Sequence, residues 1–183
     1  TCTKLEPLAL SGAVTADPMG FYKPAAYETM HQGVRLAQAD LKTPRGQTSL
    51  HKFLAKTDVL ITSFRPSALA RLGLDWKTLH RLYPNLCMVS VVGAFGPRAE
   101  EPGHDLTYLA ENGLVNGLDL PATLYADMGG SLMITEAVLQ ALLLRQTRGH
   151  QNGLGVFQEI ALNDAANYLA LPRTWGLTTL MAM

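Results

Sequence analysis

The sequence predicts an α/β fold built on a parallel sheet covered by helices on both faces. Three observations carry this expectation. Residues 58–64 and 86–92 form two short, almost wholly apolar runs, as strands buried on both faces require. Segments of helical period precede, separate and follow them. The resulting alternation of helix and apolar strand is that of strands joined by helical crossovers.

The elements follow in order. The first thirty residues show little periodicity and carry Pro7, Pro18, Gly20 and Pro24, so they read as loop or extended chain laid against another surface. Ser49 is placed as the cap of a short helix with Leu50, Phe53 and Leu54 on one face. Pro66 ends the first strand, and residues 68–72 form a helix closed by Gly73. Asp75 caps the next helix, with Trp76, Leu79, Leu82 and Tyr83 on one side. After the second strand, the loop 93–103 delivers His104 and Asp105 to a helix over about 105–111. Gly129-Gly130-Ser131 is expected to open the longest helix, running to about Arg148. Its polar residues Glu136, Gln140 and Arg145 share a stripe, so most of its circumference is expected to be buried. Gly149, Gly153 and Gly155 then turn the chain into a strand over 156–160 and a helix over 162–171.

Composition narrows the function. At 183 residues, 48% hydrophobic and 16% charged, the chain can bury one substantial core, and its light charge leaves room for a large interface. Fifteen basic side chains cancel fifteen acidic ones, which leaves no electrostatic footprint for nucleic acid or an anionic membrane. Apolar stretches are read as too interrupted to span a membrane. Two cysteines are too few for a disulfide framework, and Cys87 reads as a small buried thiol. With no signal-peptide pattern in residues 1–7, a cytoplasmic setting is the expectation. There is no glycine-rich dinucleotide fingerprint, Walker lysine or nucleophile elbow, and His31, His51, His80, His104 and His150 lack zinc-site spacing. These absences argue against an NAD enzyme, an NTPase and a metallohydrolase, and no metal or redox cofactor is expected.

What remains is an imidazole and a carboxylate in separate segments, Gly103-His104-Asp105 and Ala126-Asp127-Met128-Gly129-Gly130. Placed on opposite faces of a carbon acid, His104 and Asp127 would remove a proton and return it. The plainer alternative is a helix-start histidine and an ordinary turn aspartate.

Several motifs appear together in one order. They are Leu41-Lys42-Thr43-Pro44-Arg45-Gly46, Thr57-Asp58-Val59-Leu60-Ile61, Ser63-Phe64-Arg65-Pro66 and Arg71-Leu72-Gly73-Leu74. Gly103-His104-Asp105-Leu106-Thr107-Tyr108-Leu109-Ala110, Ala126-Asp127-Met128-Gly129-Gly130 and Asn163-Asp164-Ala165-Ala166 follow. In this order the sequence resembles the class III CoA-transferase and alpha-methylacyl-CoA racemase family, from about residue 3 to residue 170. The resemblance implies a Rossmann-like large domain, a smaller domain, and a homodimer whose chains interlock like links. It implies an acyl-CoA thioester substrate, coenzyme A being a substrate moiety rather than a resident cofactor. Residues 1–183 would form an incomplete large CoA-binding domain, with the family's first strand–helix unit and small domain outside it. The stretches 1–30 and 162–183 are expected to meet a partner chain or further domain.

The resemblance also assigns roles. Asp127 matches the family's catalytic aspartate, which in transferases passes through acyl-anhydride and CoA-thioester intermediates. In the racemase branch the residues matching His104 and Asp127 are the two acid/base groups. The presence of His104 tilts the expectation toward racemisation of a 2-methylacyl-CoA by α-proton exchange. The alternatives are CoA transfer between carboxylic acids through Asp127, and an inactive CoA-binding fragment. Phe64, Arg65 and Arg71 are expected to contact CoA, although Ser63 stands where relatives often carry asparagine. Gly93 is expected to shape the crevice, Tyr108 to line the acyl pocket, and Gly129 and Gly130 to leave room for the thioester beside Asp127. Asp105 is expected to be structural, as a cap or as a partner to the loop.

Overall fold

A computed structural model of the chain describes residues 1–10, 13–147 and 153–177. The chain divides into two compact units, Thr1–Lys56 and Thr57–Met183.

In the first unit, β1 (Cys2–Glu6) pairs in parallel with β2 (Val34–Gln38), Cys2 opposite Val34 and Glu6 opposite Gln38. Between them lie α1 (Pro18–Tyr22) and α2 (Pro24–Met30), and α3 (Pro44–Leu54) follows. The expectation of loop or extended chain over the first thirty residues holds at β1 and is corrected at α1 and α2. Each of these helices has proline in its first turn, where a missing N–H costs nothing and the fixed φ already suits the helix. Prolines read as breakers are starters here. Likewise α3 is capped by Thr43, whose Oγ1 accepts the Gly46 N–H at 3.1 Å, and Ser49 lies inside the helix.

A polar network fastens this unit. Glu6, buried on β1, accepts hydrogen bonds from Thr15 Oγ1, from Tyr27 Oη at 2.7 Å and from Lys4 Nζ at 2.8 Å. Lys4 Nζ also reaches Asp17 at 2.6 Å, and Asp17 caps α1. Burial pushes the Glu6 carboxyl up, but the hydrogen bonds from Lys4, Thr15 and Tyr27 outweigh it and bring the pKa down to about 2.

The second unit is a parallel sheet in the order β3 (Val59–Thr62), β4 (Cys87–Val92), β5 (Phe157–Ala161). Ile61 lies opposite Val89, and Val89 opposite Gln158. α4 (Pro66–Leu72) and α5 (Trp76–Leu82) cross from β3 to β4; α6 (Asp105–Glu111) and α7 (Tyr125–Thr147) cross from β4 to β5. α8 (Leu162–Thr174) follows β5 directly. The expected adjacency of the two apolar strands holds. β4 is paired on both sides and its Cys87, Met88 and Val89 are sealed from solvent, which explains its unbroken apolar run. β3 is an edge strand with Ile61 half exposed, so its burial is less than the sequence suggested. Asp75 caps α5 as expected, accepting the Thr78 N–H at 3.1 Å.

Two expectations for α7 are corrected. It begins at Tyr125, four residues before Gly129, so both glycines lie within it. Ala126, Gly130, Ala137 and Ala141 form its buried side, whereas Met128, Leu132, Leu139 and Leu143 are exposed by 61, 73, 63 and 60%. The end at Arg148 and the turn residue Gly149 fall outside the described residues. α7 has 23 residues and an 18-residue stretch of mean hydropathy 1.2, so by length and composition it is long and apolar enough to span a membrane, against the expectation of no such stretch. It packs on β4, β5 and α8 instead of standing apart. α8 turns Ala165, Ala166 and Ala170 inward and packs on α6 and α7 of its own chain, with Tyr168 and Trp175 exposed. Only this inner face is accounted for within the chain; Tyr168 and Leu169 of α8 remain exposed.

Candidate active site

A cavity of about 220 Å³ opens at the carboxyl ends of β3 and β4, where open parallel sheets characteristically bind ligands. Ser63 and Arg65 follow β3, Gly93 follows β4, and all three line it. Tyr108 reaches the same cavity from α6. Its ring is held between two glycines: a Cβ on either Gly93 or Gly103 would fall 2.3 Å from the phenolic oxygen. Any side chain at these positions would displace the ring. Burial raises the Tyr108 phenol, and the negative charges of Asp127 and Glu111 push it further the same way.

The loop after β4 is tied down at both ends. Glu100 accepts the Ser67 N–H at 2.7 Å and the Ser67 hydroxyl at 2.8 Å, joining the loop to α4. Arg98 joins it to α6 by pairing with Glu101 at 2.8 Å and Glu111 at 2.7 Å. The Ser67 hydrogen bonds lower the Glu100 carboxyl, with smaller contributions from the charges of Arg65 and Arg71. Both arginines therefore lie in the electrostatic neighbourhood of Glu100, but only Arg65 lines the cavity. Arg71 is exposed on the last turn of α4, and Phe64 is half exposed outside the cavity lining.

His104 occupies the N-cap position of α6, where its backbone N–H donates to Thr107 Oγ1 at 3.3 Å. Asp105, the next residue, is 5% exposed, and its Oδ1 accepts the Asp127 N–H at 3.0 Å. This bond joins the starts of α6 and α7 and brings the histidine segment to the aspartate segment. Asp127 sits in the first turn of α7 with an exposed side chain. Its carboxyl lies above the ordinary aspartate value, mainly through the protein around its base and then through the charge of Asp105. The positive charge of His104 works in the opposite direction. Asp105 was expected to cap a helix or to partner the loop; it is instead the first residue of α6, and its side-chain hydrogen bond crosses to α7.

Gly129 and Gly130 face α8 from inside α7. A Cβ on Gly129 would lie 3.2 Å from Leu169 Cδ1, and one on Gly130 would lie 2.4 Å from Leu162 Cδ2. Their observed task is close helix contact. Glu100, Glu101 and Arg98 were not singled out by sequence; the i,i+3 spacing of Arg98 and Glu101 was the one available signal. Among the described residues no group of three or more His, Cys, Asp or Glu side chains is placed to hold a metal.

The family profile of CoA-transferase family III matches residues 2–177. The chain belongs to CoA-transferase family III. This family III chain is 33% identical over 131 residues to succinyl-CoA–D-citramalate CoA-transferase of Chloroflexus aurantiacus, covering 68% of the chain and 32% of that protein. It is also 33% identical over 128 residues to human alpha-methylacyl-CoA racemase, covering 64% and 34%. A crystal structure of a CAIB/BAIF family protein from Brucella suis superposes with a TM-score of 0.70 at 26% identity, covering 79% of this chain and 39% of that one. The curated relatives of comparable similarity include both CoA-transferases and racemases. The chain spans less than half the length of the curated relatives it matches.

Proposed function

We propose that the protein carrying this chain is an acyl-CoA enzyme in which Asp127 is the reacting carboxylate, and that it transfers CoA between carboxylic acids. The observation that carries the reading is an exposed carboxylate in the first turn of α7; neither it nor His104 lines the cavity, but Tyr108, which does, lies within reach of the Asp127 charge. Arg65 supplies a positive charge at that cavity for a phosphorylated ligand.

In transfer, Asp127 attacks the thioester carbonyl and expels CoA thiolate, leaving a mixed anhydride. The thiolate then attacks the aspartyl carbonyl, releasing the first acid and forming an aspartyl-CoA thioester. The acceptor carboxylate repeats the sequence in reverse, so Asp127 is regenerated.

The initial tilt toward a racemase rested on His104 alone. Transferases of Mycobacterium tuberculosis, Chloroflexus aurantiacus and Agrobacterium fabrum align over 74, 68 and 79% of this chain, against 64% for the human and mouse racemases, and this wider match supports transfer as the first reading. One observation keeps α-proton exchange as the second reading. The charge of His104 acts on the Asp127 carboxyl, so the two groups that a two-base exchange would use share one neighbourhood.

Incubation with an acyl-CoA and a second carboxylic acid in deuterated water separates the two. New acyl-CoA without deuterium at the α-carbon, together with a hydroxylamine-trapped aspartyl adduct lost in Asp127→Asn, supports transfer. Deuterium at the α-carbon with loss of chirality, abolished by His104→Ala, supports racemisation. Full activity in Asp127→Asn sinks both.

A further inference from the structure

We propose that Asp105 is a positioning residue for Asp127: its buried carboxylate holds the Asp127 amide, anchors the first turn of α7 and fixes the reacting carboxyl beside a second one. The proposal rests on Asp127 being the reacting carboxylate. Its basis is geometric. Asp105 is one of the few buried acidic side chains among the described residues, and the function above makes no use of it. A carboxylate removed from water needs donors to compensate it. The donor here is the Asp127 backbone N–H, at 3.0 Å. One side chain thereby locks the backbone of the reacting residue and sets a like charge near its carboxyl.

The groups acting on Asp127 all come from α6 and its N-cap. Asp105 opposes ionisation, His104 favours it when protonated, and the Tyr108 phenol is coupled to the same carboxyl. A carboxylate with raised proton affinity is a stronger base and a stronger nucleophile, so the arrangement serves either reaction.

The test compares Asp105→Asn, which keeps an acceptor oxygen but removes the charge, with Asp105→Ala, which removes both. Carbon-13 NMR titration of the Asp127 carboxyl in the 183-residue chain is the primary readout. Asp105→Asn is expected to lower the Asp127 midpoint by about half a pH unit or more while its amide stays protected from exchange. Asp105→Ala is expected to lower the midpoint and also to speed exchange of that amide by about tenfold or more. In the active enzyme, Asp105→Asn moves the acid limb of the kcat profile to lower pH with little change in KM. An unchanged Asp127 midpoint in folded Asp105→Asn overturns the proposal. Should that variant not fold, the unaltered protein still decides: the Asp127 amide is expected to exchange at least about tenfold more slowly than in the unfolded chain, and unprotected exchange of that amide overturns the idea. Full activity in Asp127→Asn would instead remove the catalytic reading and leave the coupling to be judged by the titration.

Discussion

At the scale of single residues, space around a ring and hydrogen bonds around a carboxylate decide the outcome. Tyr108 has no slack, since Gly93 and Gly103 approach it from separate segments. Gly93→Ala is expected to cost about 1–3 kcal/mol in denaturant unfolding, because the obstructed atom ends a rigid ring that Gly103 also confines. Adding Tyr108→Phe removes the nearest atom and should recover part of the loss; no recovery would mean that the ring is not the obstacle. Glu6 gives a pH prediction. Its carboxyl is lowered from 4.5 to about 2 in the fold, so its contribution is fully present above about pH 4.5. That contribution fades as pH falls toward 2 and is absent below it. Discounted for the part-exposed Lys4 partner, it is on the order of 2 kcal/mol. Glu6→Gln should therefore flatten the acid limb of the unfolding profile, and an unaltered limb would refute the assignment.

At the scale of elements, α7 presents two unlike sides. The buried side uses Ala126, Gly130, Ala137 and Ala141, small residues that let the sheet and α8 approach closely. Gly130→Val should cost about 1–3 kcal/mol, since the added carbons meet Leu162. The outer side carries Leu132 and Leu139, both well exposed in this chain. Leu139→Gln should change the stability of the isolated chain by no more than about 0.5 kcal/mol. Comparable losses from the two substitutions in chemical denaturation would contradict this division of α7.

At the scale of the whole molecule, family III membership is shown and the assembly is a proposal. The interlocked dimer, the incomplete large domain and the acyl-CoA substrate come from resemblance, in a chain that spans less than half of its curated relatives. Calorimetry on the 183-residue chain is expected to give weak CoA binding that Arg65→Ala reduces by several-fold, without transfer to an added acid. Turnover by this chain alone would show that the described units suffice for catalysis.

The sequence by itself determined the parallel α/β class, the central strand, the Asp75 cap and the family. Each is written in local apolar runs, cap chemistry or ordered motifs, which need no knowledge of distant contacts. The tertiary structure decided what depends on them. Pro18, Pro24, Pro44 and Pro66 look the same in sequence whether they break a helix or begin one; the fold makes them first-turn residues. Gly129 and Gly130 read as the opening of a helix until α8 is seen against them, inside α7. His104 and Asp127 are brought into one electrostatic neighbourhood where α6 meets α7, at a bond from the Asp127 amide to a buried carboxylate 22 residues earlier. A hydrogen bond of that span leaves no periodicity to read, because it is set by how two helices meet and not by either helix alone.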